Sequence, residues 1–123
     1  DGWIAERKLA DERYWERLDG VPGIRLNAPQ KGVRSNYAYF PVVFDGYKYD
    51  RDKVFDRLNA HGIVARKYFY PITNSFACYR GRPGFDPAAT PVAAHIADCV
   101  LTLPLYAGLS TEDVDRICDI ILG

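Results

Sequence analysis

The sequence predicts an α+β sandwich, an α/β arrangement in which a small, largely antiparallel sheet of three to four strands packs against helices. Three observations carry this prediction. Amphipathic helical stripes occupy both ends of the chain. Short aromatic and β-branched runs stand between them. The elements follow the order α, β, β, α, β, α, β, α with no internal repeat and no low-complexity linker. At 123 residues the chain suits one domain, residues 1–123, large enough to bury a core without staples.

Residues 3–19 place Trp3, Ala10, Tyr14 and Leu18 on one stripe, and Gly20 and Pro22 end that helix. "GIRL" at 23–26 reads as a short strand and "NAPQKGVRS" as a loop. Residues 36–44, "NYAYFPVVF", form the second strand, with Pro41 arguing for an edge or a bulge because it cannot donate to a ladder. After the turn "DGYKYD", Asp50 caps a helix that buries Val54, Phe55 and Leu58 and stops at Gly62. A strand from 63 to about 69 follows, then a helical turn within 74–80 and a loop punctuated by proline and glycine. Thr90 and Pro91 open a helix with Val92, Ile96, Cys99 and Val100 inward. "TLPLYAGLS" is extended and then turns. Ser110 and Asp113 make a capping box with Asp in place of Glu, and the last helix buries Val114, Ile117, Cys118 and Ile121.

Composition excludes several classes of function. Sixteen Lys and Arg balance sixteen Asp and Glu, so there is no electrostatic footprint for nucleic acid or an anionic membrane. Single-strand binding through stacked aromatics is disfavoured on the same ground and by the lack of an RNP-like pattern. No apolar run approaches the length of a membrane span, and the charged N-terminal segment is not signal-like. Three cysteines without a CxxC spacing suggest neither a disulfide framework nor a zinc knuckle, and they fit a reducing, cytoplasmic setting. The chain contains no methionine and is expected to be either a processed chain or a piece excised from something longer.

No catalytic residue is predicted. GxSxG, HExxH, GxGxxG and P-loop patterns are absent, and Asp50, Asp52, Glu112 and Asp113 fall in caps or first turns, where a negative charge needs no catalytic task. Cys99 and Cys118 read as small hydrophobes on helix stripes. His95 and Cys99 have a chelating i,i+4 spacing, yet no second pair of ligands is in sight, so no metal is expected. His61 in "NAHG" suits a helix C-terminus.

The stretch that asks for a role is "ARKYFYPI" at 65–72. Read as a strand, Ile63, Ala65, Lys67 and Phe69 point one way, while Val64, Arg66, Tyr68 and Tyr70 point the other. The first set suits a core under a helix. The second ends in a cation flanked by phenols, which suits a phosphate, a carboxylate or a sugar hydroxyl. An ordinary solvated strand face with aromatics beside an arginine is the plainer alternative.

Four stretches taken together carry a family resemblance. "ERYWERLDGVPGIRL", "SNYAYFPVVF", "YDRDKVFDRLNAHGIVARKYFYPI" and "TPVAAHIADCVLTLPLYAGLSTEDVDRICDII" resemble the C-terminal domain of the DegT/DnrJ/StrS family of PLP-dependent nucleotide-sugar aminotransferases. The combination of "RD", "HGI", "LPLY" and "EDVDRI" at these spacings is specific, and the resemblance covers essentially the whole chain.

The resemblance implies the small domain of a fold-type I aminotransferase. Such an enzyme moves an amino group, usually from glutamate, onto a nucleotide-linked keto-deoxysugar. It implies a homodimer whose PLP-binding lysine lies in a preceding domain, so that this chain alone would bind no PLP and be inactive. Trp3 and the aromatics of 37–40 are then expected to be exposed where the large domain or a partner subunit would sit. Tyr68 stands where the family commonly has a His, Phe69 at the aromatic, Pro71 at the proline and Thr73 at a second His. Arg66, Tyr68, Tyr70 and Thr73 are therefore the expected substrate-binding residues, with Phe69 expected beneath the helices. A free-standing α+β ligand-binding or regulatory module is the rival reading.

Overall fold

The structure, a computed structural model, describes residues 1–123. The order is α1 (Gly2–Leu18), β1 (Ile24–Leu26), β2 (Phe40–Phe44), α2 (Arg51–Ala60), three short 3-10 turns, α3 (Pro91–Cys99), β3 (Val100–Leu103) and α4 (Thr111–Leu122). The three strands lie in chain order and pair antiparallel, Ile24 opposite Phe44 and Val42 opposite Leu101. Phe40, Val42 and Phe44 alternate inward with period two and meet Leu101 and Leu103 in one core. Ala10, Tyr14 and Leu18 of α1, Val54 and Leu58 of α2 and Val114, Ile117, Cys118 and Ile121 of α4 join them. Helices α1, α2 and α4 therefore supply the second layer. No helix is long and apolar enough to cross a membrane.

Local chemistry explains where the helices begin and end. The Asp50 carboxylate accepts from Lys53 N at 2.7 Å and the Ser110 hydroxyl from Asp113 N at 3.0 Å, satisfying otherwise orphaned first-turn donors. At the end of α2, His61 Nδ1 lies 2.8 Å from Arg57 O, and Gly62 takes the left-handed φ of 74° that ends the helix. The last carbonyls of α4 receive donors from distant chain: Arg57 onto Ile120 O, Tyr47 onto Ile121 O and Lys48 onto Leu122 O. Cations there also complement the negative end of the helix dipole. Gly23 cannot be replaced, since a Cβ would lie 2.2 Å from Tyr47 N.

Tyr14 is fully buried, stacks on Phe40 at 4.7 Å and donates from its hydroxyl to Pro104 O at 3.0 Å. Burial holds that phenol protonated well above its ordinary range. All three cysteines are free thiols, and burial pushes that of Cys118 up to about 12.

The structure corrects several expectations. The second strand begins at Phe40, and Pro41 sits in the central strand. It is tolerated because Thr102, its partner, directs both backbone groups the other way, accepting from Arg66 N at 3.0 Å and donating to Arg66 O at 2.8 Å. Pro41 thus stands at a non-hydrogen-bonded pair, its ring nitrogen facing ground that β1, ending opposite Val42, does not reach. Residues 63–69 form no strand and contribute one isolated bridge, Arg66 to Thr102. Val92, expected inward, is exposed, and only Ala97 of α3 is fully buried; Val100 is buried as the first residue of β3. Thr90 makes no side-chain cap; its hydroxyl accepts from Asn74 Nδ2 at 2.8 Å instead. Trp3 and Tyr39 are exposed, but Phe40 belongs to the core.

Candidate functional site: an aromatic and cationic rim

Beyond the Arg66 bridge the chain leaves the sheet along the outer edge of β3. Ile63, Ala65 and Lys67 do face the helices: Ala65 is buried, and Lys67 Nζ reaches Asp52 at 2.6 Å while lying over the Phe55 ring at 4.7 Å. Lys67 is the chief reason that the Asp52 carboxyl is held below the usual carboxylate range. The alternation ends there. Phe69 is 71% exposed, which overturns its expected place beneath the helices. The peptide bonds Tyr68–Phe69 and Tyr70–Pro71 are cis. Past the single Arg66–Thr102 bridge the segment has no ladder partner, so the strand alternation on which the inward reading of Phe69 rested does not extend to it.

The outcome is a shelf of rings. Tyr68 packs on Phe69 with centroids 3.9 Å apart and on Tyr39 at 5.1 Å. Arg66 is exposed and belongs to none of the ion pairs. Tyr70 lies over Arg51, its ring 4.6 Å from the guanidinium carbon. Thr73 is exposed and opens a 3-10 turn, Thr73–Ser75, a step further along the chain. Of the four expected substrate residues, Tyr68 is joined by Tyr39, Tyr70 by Arg51, and Arg66 and Thr73 present free side chains.

Arg51 was not legible as a structural residue, since an arginine in a first helical turn ordinarily reads as solvated. It is 3% exposed and donates to Ala97 O at 2.9 Å and Val100 O at 3.4 Å, closing the end of α3. Its Nε also holds Asp52 at 2.7 Å, the carboxylate that takes Lys67. One buried guanidinium thus ties α2, α3 and the rim together.

Tyr39 also borders a cleft of about 770 Å³ between α1 and the loop 27–37, lined by Asp11, Trp15, Arg34, Asn36 and Tyr37 among others. Tyr37 holds a φ of 50°, supported by Ser35 Oγ accepting from Tyr37 N and Asn36 Oδ1 from Ala38 N. Burial, and then the neighbouring charge of Glu12, push the Asp11 carboxyl up to about 6. Because the folded state holds this proton more tightly than the unfolded one, the contribution of Asp11 to stability grows as pH falls through 6 and levels off near the ordinary value of 3.8. The group is only half-buried, so the gain is expected to stay under about 1 kcal/mol. Urea unfolding of Asp11→Asn at pH 4.5 and pH 7 should show that part of the slope removed; an unchanged slope would mean that another group titrates there.

A second cluster joins α3 to the turn after β2. His95 Nε2 of α3 is 2.9 Å from Asp45 Oδ2, just after β2, and 3.9 Å from Cys99 Sγ, one turn along α3. The hydrogen bond from His95 is the main cause of the lowered Asp45 carboxyl.

A short antiparallel sheet is thus backed by helices and carries an exposed aromatic and cationic rim beyond its outer strand. The profile of the DegT/DnrJ/EryC1/StrS aminotransferase family matches residues 1–122, and the chain belongs to that family. It is 38% identical over 124 residues to a dTDP-4-amino-4,6-dideoxy-D-glucose transaminase of Escherichia coli, a match covering all of this chain and 33% of the relative. Among solved structures, DesI, determined in the presence of its TDP-sugar product, superposes with a TM-score of 0.84 at 28% identity over 97% of this chain and 30% of that one. S. venezuelae DesV gives a TM-score of 0.87 at 25% identity, covering 98% and 31%. The chain thus spans about a third of the length of the curated relatives it matches. The fold is that of the corresponding part of PLP-dependent sugar aminotransferases of fold-type I.

Proposed function

We propose that this domain forms one wall of the substrate cleft of a PLP-dependent aminotransferase, which transfers an amino group, with glutamate as donor, to a nucleotide-linked keto-deoxysugar. The observation that carries the reading is the rim 66–73, where Arg66, Phe69, Tyr70 and Thr73 are exposed to solvent rather than spent on the core. DesI, solved with a TDP-sugar product, supports the substrate class by analogy. In this reading Arg66 takes a phosphate or carboxylate oxygen, and Tyr68, Tyr70 and Thr73 offer hydroxyls to the sugar.

The lysines of this chain do not make a PLP site. Lys67 is paired with Asp52 at 2.6 Å, Lys48 donates to Leu122 O at 2.6 Å, Lys8 meets Glu12 at 3.4 Å, and Lys31 and Lys53 are exposed. None is desolvated and unpaired, as a Schiff-base lysine needs to be. The cofactor is therefore assigned to a preceding domain of the full-length enzyme, working as a cytoplasmic homodimer. Exposed Trp3 and Tyr39 suit contact with that domain or the partner subunit. No observation favours a free-standing binding module.

The test is Tyr68→Phe in the full-length enzyme. Loss of one hydroxyl contact of about 0.5–1.5 kcal/mol should lower kcat/KM for the sugar nucleotide roughly 2- to 12-fold. The half-reaction with the amino donor and the unfolding midpoint should not move. Equal loss in both half-reactions, or none in either, would remove Tyr68 from the sugar side of the cleft.

A further inference from the structure

We infer that Asp45, His95 and Cys99 form a binding site for a zinc-class divalent cation, separate from the rim described above. One oxygen, one nitrogen and one sulfur, drawn from two elements far apart in sequence, lie within 4.8 Å of one another. A tetrahedral zinc with bonds of about 2.0–2.3 Å sets its ligands roughly 3.3–3.7 Å apart. The 2.9 Å between Asp45 Oδ2 and His95 Nε2 and the 3.9 Å between His95 Nε2 and Cys99 Sγ straddle that spacing. Entry of the ion therefore asks Asp45 and His95 to part slightly and Cys99 to draw closer.

The scaffold holds the three donors in place. His95 and Cys99 are four apart on α3, which puts both on one helix face. Asp45 follows directly on β2, and its backbone N–H donates to Gly23 O at 2.9 Å, which fixes the carboxylate opposite that face. A carboxylate, an imidazole and a thiolate form a borderline-soft set that suits zinc or cobalt and does not suit magnesium or calcium, which take oxygen alone. On binding, the Cys99 thiol gives its proton to solvent, and the thiolate and carboxylate together balance the 2+ charge. Asp45 and His95 are exposed, so a fourth position remains open to water. The i,i+4 pair on α3 was legible in the sequence; Asp45, some fifty residues earlier, was not.

The probes are Co²⁺ and Zn²⁺ added to the full-length protein. Co²⁺ should produce a thiolate-to-metal charge-transfer band that saturates at about one equivalent for this site and is abolished by Zn²⁺. Cys99→Ser should abolish the band, whereas Cys78→Ser should retain it. Asp45→Asn and His95→Gln should each weaken Zn²⁺ binding by at least about ten-fold. A titration with no thiolate band, a band that survives Cys99→Ser, or Zn²⁺ affinity unchanged in Asp45→Asn would overturn the site.

Discussion

Arg51→Ala is expected to destabilise the domain by about 3 kcal/mol, even though the substitution lies in a first helical turn where alanine is welcome. The side chain is 3% exposed and donates to the carbonyls of Ala97 and Val100. Alanine removes charge-assisted hydrogen bonds, leaves those carbonyls unpartnered and deletes the stem that packs between α2 and α3. Arg51→Lys should recover only part of the loss, because an ammonium cannot reproduce the planar fork that serves the carbonyls, Asp52 and the Tyr70 face together. Urea unfolding of the three proteins provides the measurement. An alanine variant within about 0.5 kcal/mol of the parent would show that water replaces the guanidinium freely.

The larger loss is expected from Leu101→Ala, about 4 kcal/mol. Leu101 has no exposed surface and sits opposite Val42 on the helix-facing side of the sheet, in the cluster that includes α1, α2 and α4. The cavity opens between layers fixed by ladder hydrogen bonds on one side and packed helices on the other, so little collapse can fill it. Phe69→Ala supplies the contrast: the ring is larger, yet at 71% exposure its removal should change stability by no more than about 0.5 kcal/mol. The same unfolding series decides both. A costly Phe69→Ala beside a mild Leu101→Ala would mean that the rim belongs to the core.

Phe69 also marks where sequence reasoning stops. Ala10, Tyr14 and Leu18, the Asp50 and Ser110 caps and the stripe of α4 were all readable, because helical period and cap chemistry act within a few residues of one another. Residues 63–69 carry equally good strand chemistry, but a strand needs a partner of matching length, and β3 offers only Thr102 on that side. Lys67 is drawn to Asp52 and Tyr68 to Tyr39, both distant in sequence, and these attachments decide where Phe69 goes. The rim was therefore recognisable as a segment while the facing of its last residues was not. Arg51 and Asp45 were missed for the same reason: each owes its place to α3, which lies some forty to fifty residues away.

The first helix and the last are joined by Arg13 to Asp115 at 2.8 Å and Arg17 to Asp119 at 2.6 Å, contacts separated by 102 residues. That separation hardly matters to equilibrium stability, since each doubling of a closed loop costs only about 0.6 kcal/mol. Its effect is on timing. Helix α1 leaves the ribosome before the helix that packs on Tyr14 and Leu18, which emerges, at ordinary synthesis rates, roughly 5 to 20 seconds later. During that interval the nascent chain carries a helix whose apolar side has only part of its native cover, Phe40 among it. Engagement by a chaperone, or a synonymous change that slows decoding between the two helices, should then affect the yield of folded protein while leaving its final stability untouched.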